Sequence, residues 1–326
     1  MVEVQNDWAH HSDDPDAEVN TLFTTIEPYL ILSFNDRLAL EAGFVLEPVQ
    51  DPDTGDDTEF ENEGLYVQEL KFTYTGDNFG LFAGKYNPTF GMAWDLAPGI
   101  YGADFAEDYE LTERIGFGGS YMFGSEQAGE YTLTGNAFFA DTSILSEATI
   151  TKRGRTHESD GGVSNTEDLS SFSVTLDSEE LAGIEGLNAN AGYYNQSEGD
   201  ADVGLDNETG YAVGANYTFP LSDNVEASVL GEWAGIRNSA GGSDDVNYLT
   251  TSLSLTVNDH WNFSASYTNR QTDVFGGSDV NDHLYQVSAG YMFDNGLSVD
   301  VGYRGSEESN VDTQMMGALV SYTYEF

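Results

Sequence analysis

Met316-Gly317-Ala318-Leu319-Val320-Ser321-Tyr322-Thr323-Tyr324-Glu325-Phe326 is the stretch on which the fold turns. Counting back by twos from the end gives Phe326, Tyr324, Tyr322, Val320, Ala318 and Met316, an unbroken apolar row. Between them stand Glu325, Thr323, Ser321, Leu319 and Gly317, which are mostly polar or small. Side chains alternate across a β-strand, so the segment reads as a strand with one apolar and one mostly polar face. The pattern recurs upstream. Tyr285, Val287, Ala289, Tyr291 and Phe293 alternate with Gln286, Ser288 and Gly290, and Trp261, Phe263, Ala265 and Tyr267 with Asn262, Ser264 and Ser266. Tyr211 to Phe219 and Ile115 to Phe123 repeat it.

A soluble sandwich alternates too, and two features argue against one. The second face is Ser, Thr, Asn and Gly rather than a Lys/Glu mixture, and the apolar rows end in aromatics such as Tyr121/Phe123, Tyr217/Phe219 and Tyr291/Phe293. Strands of about ten residues with aromatic ends and a polar second face are those of a barrel in a bilayer. Composition agrees by exclusion. No run approaches the ~18–20 apolar residues of a membrane-spanning helix. With 57 Asp+Glu against 10 Lys+Arg and a net charge of -47, the chain lacks the basic surface a nucleic acid requires. The absence of Cys removes disulfides, thiolate metal sites and cysteine nucleophiles.

The periodicity predicts strands near 21–34, 37–47, 63–75, 78–86, 110–123, 130–141, 169–177, 187–196, 208–219, 224–237, 245–257, 260–271, 282–294, 297–305 and 311–326. Short turns at Asn35-Asp36, Gly76-Asp77, Leu221-Ser222-Asp223 and Asn295-Gly296 alternate with long acidic connections at 48–62, 87–109, 142–168, 197–207, 238–244 and 272–281. In such barrels short turns face the periplasm and long loops face outward, and the strand number is even. Fifteen strands therefore call for one more, and Val2 to Trp8 supplies an outward-running first strand. The expectation is all-β: one transmembrane, antiparallel, up-and-down barrel of about sixteen strands spanning residues 1–326, with a water-filled lumen. One or both of the connections 87–109 and 142–168 are expected to fold inward. Met1-Val2-Glu3-Val4 has neither the basic region nor the apolar core of a signal peptide, so the numbering is expected to be that of a mature or re-engineered chain.

Read this way, the sequence resembles a Gram-negative outer-membrane porin. Phe326 with Tyr324 and Tyr322 resembles the terminal signal by which outer-membrane barrels are recognised for insertion. Ala83-Gly84-Lys85-Tyr86-Asn87-Pro88-Thr89-Phe90-Gly91 resembles the "AGR…PFG" passage of proteobacterial porins, including siderophore-uptake-like porins. Lys85 stands where that motif has Arg, and the Pro lies one residue early at Pro88. The resemblance implies a passive channel, commonly trimeric, set in lipid and lipopolysaccharide and admitting small hydrophilic solutes.

Strand parity then assigns the charges. Arg114, Arg270 and Arg304 fall on the polar rows, Lys71 points inward beside Glu69, and Lys85 points inward if Phe82 and Tyr86 face lipid. Glu27, Glu41, Glu69, Glu226, Glu232 and Asp300 are the inward acids. These charges either line the pore or brace it as ion pairs. Lys152, Arg153 and Arg155 break the acidity of the connection 142–168, while Asp104, Glu107 and Asp108 lie in 87–109. Basic and acidic groups on opposite sides of a constriction set a transverse field across the permeant. The competing role for the basic cluster is an outer patch facing acidic loops or lipopolysaccharide phosphate. Asp51, Asp53, Asp56 and Asp57 offer hard oxygen ligands for loosely bound calcium or magnesium, without calcium-loop spacing. His260 and His283 have no distinctive Ser or Asp motif around them, so catalysis is not expected. The reading is a passive, cation-preferring channel. Its alternatives are a siderophore- or organic-acid-specific channel using the Lys152–Arg155 cluster, and a calcium-dependent surface-anchoring barrel.

Overall fold

The computed structural model describes residues 1–125, 127–201 and 204–325, so the terminal Phe326 of the insertion signal lies outside the described residues. The chain forms one closed antiparallel barrel. Its strands are β1 (Val2–Ser12), β2 (Asn20–Ile26 and Tyr29–Ser33), β3 (Leu38–Pro48), β4 (Glu63–Thr75), β5 (Phe79–Tyr86), β6 (Arg114–Ser125), β7 (Gly129–Ala140) and β8 (Ser171–Glu179). They continue as β9 (Leu187–Gln196), β10 (Glu208–Ser222), β11 (Val225–Arg237), β12 (Asp245–Val257), β13 (Trp261–Asp273), β14 (Val280–Met292), β15 (Leu297–Glu308) and β16 (Val311–Tyr322). The wall closes where β1 pairs with β16, from Val2 opposite Tyr322 to Ser12 opposite Thr313. Closure gives each strand a neighbour on both sides around the ring, as a β-structure in lipid requires.

Burial is inverted relative to a soluble protein. Outward residues such as Val213 and Val301 are more than half exposed, while inward Thr250, Thr268 and Gln286 are almost fully covered. The aromatic row ends form stacked pairs, among them Tyr217 with Phe219 and Phe123 with Tyr131. Amphipathic rings at both rims suit the headgroup level.

Several boundaries differ from those the alternation predicts. The last strand stops at Tyr322 and β6 begins only at Arg114, so the connection after β5 runs over 87–113. β2 is broken at Glu27-Pro28, because Pro has no N–H for the ladder. Phe82 and Tyr86 do not face lipid. Phe82 lies over inward Gly118 and Asn136, its ring meets Tyr86 edge-on, and the exposed residues of β5 are Phe79, Leu81 and Ala83. Near Lys85 the alternation is disturbed by Gly84, at φ +142°, packed against the Leu70 carbonyl where no Cβ fits.

The outer half of the wall has two places where a loop replaces a strand. β5 ends at Tyr86, and Thr149-Ile150 of the connection 141–170 pairs instead with Leu65-Gly64 of β4. Thr58-Glu59 pairs in parallel with Thr21-Leu22 of β2.

Candidate functional site

Residues 87–113 lie inside the barrel, laid along the inner faces of β8 to β16 and back to β1. Several inner-row residues there are apolar or glycine where the loop touches them. Phe90, Phe105, Tyr109 and Leu111 of the loop pack with Phe138 of β7, Tyr194 of β9, Leu230 of β11 and Leu284 of β14, all buried. Burying such a side chain contributes about 1.5–3 kcal/mol, so this contact fixes the loop's position. Glycines admit the closest approaches. Phe90 lies over Gly192, Ile100 over Gly302 and Tyr101 over Gly317.

Polar contacts set the register. Glu232, buried on β11, accepts the Tyr109 hydroxyl at 2.7 Å and the Ala93 amide at 3.2 Å, and it also accepts the Met92 amide. One carboxylate thus holds both limbs of the loop. Gln286 donates to the Pro98 carbonyl at 2.7 Å, and Tyr101 donates to Asp7 at 2.6 Å. Arg270 of β13 lies 2.8 Å from Asp108, 2.8 Å from Asp282 and 3.2 Å from Glu308, with its guanidinium over the Phe105 ring. Arg304 of β15 lies 3.2 Å from Asp104 and 3.0 Å from Glu308. These two arginines therefore serve as anchors for the loop.

The opposite side of the lumen stays open, bounded by the loop and by β1 to β4. Glu107 is exposed to the lumen, and between the loop and β13 to β1 it shares a cleft with Glu3, Gln5, Asn262, Asp300 and Leu319. It lies within electrostatic range of Glu47 on β3, which in turn neighbours Glu27. Confinement raises the Glu107 pKa, helped by repulsion from Asp108 and Glu47. Burial pushes Glu110 up to about 7, with Glu107 and Asp95 adding repulsion. Burial likewise pushes Asp104 up to about 7 against the pull of Arg304.

The remaining candidates are distributed as follows. Lys71 lies 3.1 Å from Glu69 and 3.7 Å from Glu41 on the lumenal face. Arg114 is packed in the wall and donates to Gln196 at 2.9 Å. Lys85 is buried, with Glu113 and Asp141 each at 2.7 Å and the Leu145 carbonyl at 2.9 Å. The three cations of 152–155 are separated. Arg153 bonds Glu113 with both terminal nitrogens, at 2.7 and 2.6 Å, and stacks on Tyr66 3.9 Å away, whose hydroxyl reaches Glu47. Arg155 turns back to the Thr142 carbonyl, and Lys152 is exposed, 3.6 Å from Glu147. Of the acidic loop, Asp51, Asp53, Asp56 and Asp57 border one hollow, and Asp57 accepts the Asn20 amide. Among the described residues no three His, Asp or Glu side chains converge to hold a metal ion. His260 bonds the Met292 carbonyl, and His283 lies 3.8 Å from Glu307. Parity alone did not single out Tyr66, Glu47, Glu110 or Glu113. Glu47 shares the parity of inward Glu41, whereas Tyr66 is opposite in parity to Glu69 and Lys71 and is brought inward by the irregularity in the β3–β4 pairing after Gly43.

A family model described as Gram-negative porin matches residues 33–311. The fold is similar to the outer-membrane channel DcaP of Acinetobacter baumannii, at 12% identity and TM-score 0.63, covering 99% of this chain and 95% of that one. It is also similar to Salmonella typhi OmpF in complex with daunomycin, at 15% identity and TM-score 0.63, covering 99% and 96%. The trimer form of Vibrio cholerae OmpT matches at 12% identity and TM-score 0.54, covering 99% of each chain. No curated protein sequence matches the chain. With most of its length matched by the family model and its wall closed as in these channels, the chain belongs to the Gram-negative porins, outer-membrane channels for small solutes.

Proposed function

We propose that this porin is a passive, cation-preferring diffusion channel for small hydrophilic solutes. The observation that carries the reading is the imbalance of charge around the lumen. Asp95, Glu107 and Glu110 lie on the loop and Glu3, Glu27, Glu47 and Asp300 on the wall, whereas Arg270, Arg304, Lys85 and Lys71 are each held by carboxylates. A narrow lumen with uncompensated negative charge concentrates cations and depletes anions. Reversal potentials across a planar bilayer under a potassium chloride gradient test this. Permeability for potassium over chloride should exceed one at low salt and fall toward one as salt rises, because the Debye length shrinks from ~30 Å at 0.01 M to ~3 Å at 1 M. Chloride preference at low salt overturns the reading.

A substrate-specific channel built on the 152–155 cluster is less well supported, since only Arg153 of the three reaches the lumenal side and its charge is already paired with Glu113. The apolar outer rows suit lipid and lipopolysaccharide or neighbouring copies. A trimer is our reading of the assembly, supported by the OmpT trimer form. A monomeric mass for the folded, detergent-solubilised protein in analytical ultracentrifugation overturns that part.

A further inference from the structure

Inward apolar residues fall into two groups. Those on β7, β9, β11 and β14 are covered by 87–113, as with Phe138, Leu230 and Leu284. Those on the open side have no such cover. Tyr29 stands opposite Gly43 and Ile31 opposite Glu41, so both belong to the lumenal row of β2, and they are 47% and 64% exposed. The Tyr29 ring rests against Gly43, where an added Cβ would come within 3.1 Å of it. Its hydroxyl donates to Glu41 at 2.7 Å and to Glu69 at 3.2 Å.

Apolar area left facing the lumen is available to the apolar part of a passing solute, and the charges beside it select that solute's sign. Lys71 is shared between Glu41 and Glu69, leaving one negative charge beside Tyr29 uncompensated. An ammonium group is complementary to these carboxylates and to the π-face of Tyr29. An apolar body attached to it would displace water from Ile31.

We propose that the strip centred on Tyr29 and Ile31 is a weak binding site for small amphipathic organic cations, primary alkyl- and arylammonium compounds, which cross the lumen along it. The inference rests on the cation-preferring reading above and names a solute class for it.

Block of the potassium current by n-hexylammonium and by methylammonium tests it. Both carry one positive charge and they differ in apolar area. Hexylammonium should halve the current at a concentration at least ~10-fold lower than methylammonium does, a modest return for burying several methylenes. In the Y29S/I31S variant that ratio should fall to about one. Should this variant fail to insert, Ile31→Thr, which keeps the β-branch of a strand residue, should still lower the ratio severalfold. Equal block by the two amines in the wild type, or an unchanged ratio in the variants, overturns the inference. Reversal potentials on the same channels separate the two failures. Chloride preference sinks the channel reading, whereas potassium preference with equal block sinks the binding site alone.

Discussion

Arg153 stacks on Tyr66 and shares Glu113 with the buried Lys85, while Lys152 and Arg155, its neighbours in sequence, turn elsewhere. Three adjacent cations therefore carry three different weights. Arg153→Gln should raise potassium preference at low salt, since it removes the positive charge nearest Glu47 and leaves Glu113 unpaired on that side. Lys152→Gln should leave the reversal potential unchanged within error, because an exposed charge is screened by solvent. Equal effects of the two substitutions would count against a lumenal role for Arg153. Glu110 gives a second test. A carboxyl whose pKa is raised to about 7 is ionised above that value and neutral below it. Potassium preference should therefore fall as pH drops from about 8 to about 6, well above the ordinary carboxylate range near 4.3. Glu110→Gln should lower the preference at pH 8 and flatten that part of the profile. A profile unchanged by the substitution removes Glu110 from the constriction.

Among the elements, the segment 87–113 depends on one strand residue more than on any other. Glu232→Ala removes the acceptor for two amides and the Tyr109 hydroxyl in a covered site, at a cost of about 1–3 kcal/mol for each group left unsatisfied. The loop should then fluctuate at its hinge, seen as a noisier and larger single-channel conductance, with Glu232→Gln closer to wild type. Unaltered conductance in the alanine variant would mean that the apolar contacts and the remaining polar anchors at Asp7, Arg270, Gln286 and Arg304 hold the loop without Glu232. The strands themselves were legible because alternation over about ten residues recurs along the chain and tolerates local errors, and the even strand number of such barrels supplied the first strand that periodicity left out. On β5 the strand itself was read correctly over 79–86, but the lipid-facing placement of Phe82 and Tyr86 failed, because Gly84 disturbs the alternation and both rings are used as inward packing. The loop's seat was legible too, in a signal the alternation test passes over. Phe138, Tyr194, Leu230, Ile236, Tyr248 and Leu284 are apolar residues standing on polar rows, and they mark the half of the wall that is covered. What the rows do not encode is which side chains of a long connection pair with one another, because Lys85 meets Asp141 and Arg153 meets Glu113 through loop geometry rather than through period.

At the scale of the whole molecule, the net charge of -47 is divided between surfaces that act differently. The lipid-facing rows carry almost none of it, as the cost of about 2–4 kcal/mol for a cation at the midplane, and a smaller one for an acid, would require. Much of the rest lies in connections such as 49–62 and 197–207, and a smaller set faces the lumen. The mouth and the constriction should thus respond to different perturbations. A divalent cation at millimolar concentration concentrates at a strongly acidic mouth more than a monovalent one does, because its electrostatic energy in the same potential is doubled. Adding magnesium chloride to the outer-loop side at low potassium should therefore reduce the inward potassium conductance more than potassium chloride of equal ionic strength. The same addition on the periplasmic side should have a smaller effect, since most of the long acidic connections lie at the other end of the barrel. Substituting Asp51, Asp53, Asp56 and Asp57 together by Asn should weaken the outer-side effect in proportion to the charge removed, without abolishing it, because these four carboxylates do not converge on one ion. Complete loss of magnesium sensitivity in that variant would instead identify the loop as a discrete divalent site, and symmetrical inhibition from both sides would place the effective charge at the constriction rather than at the mouth.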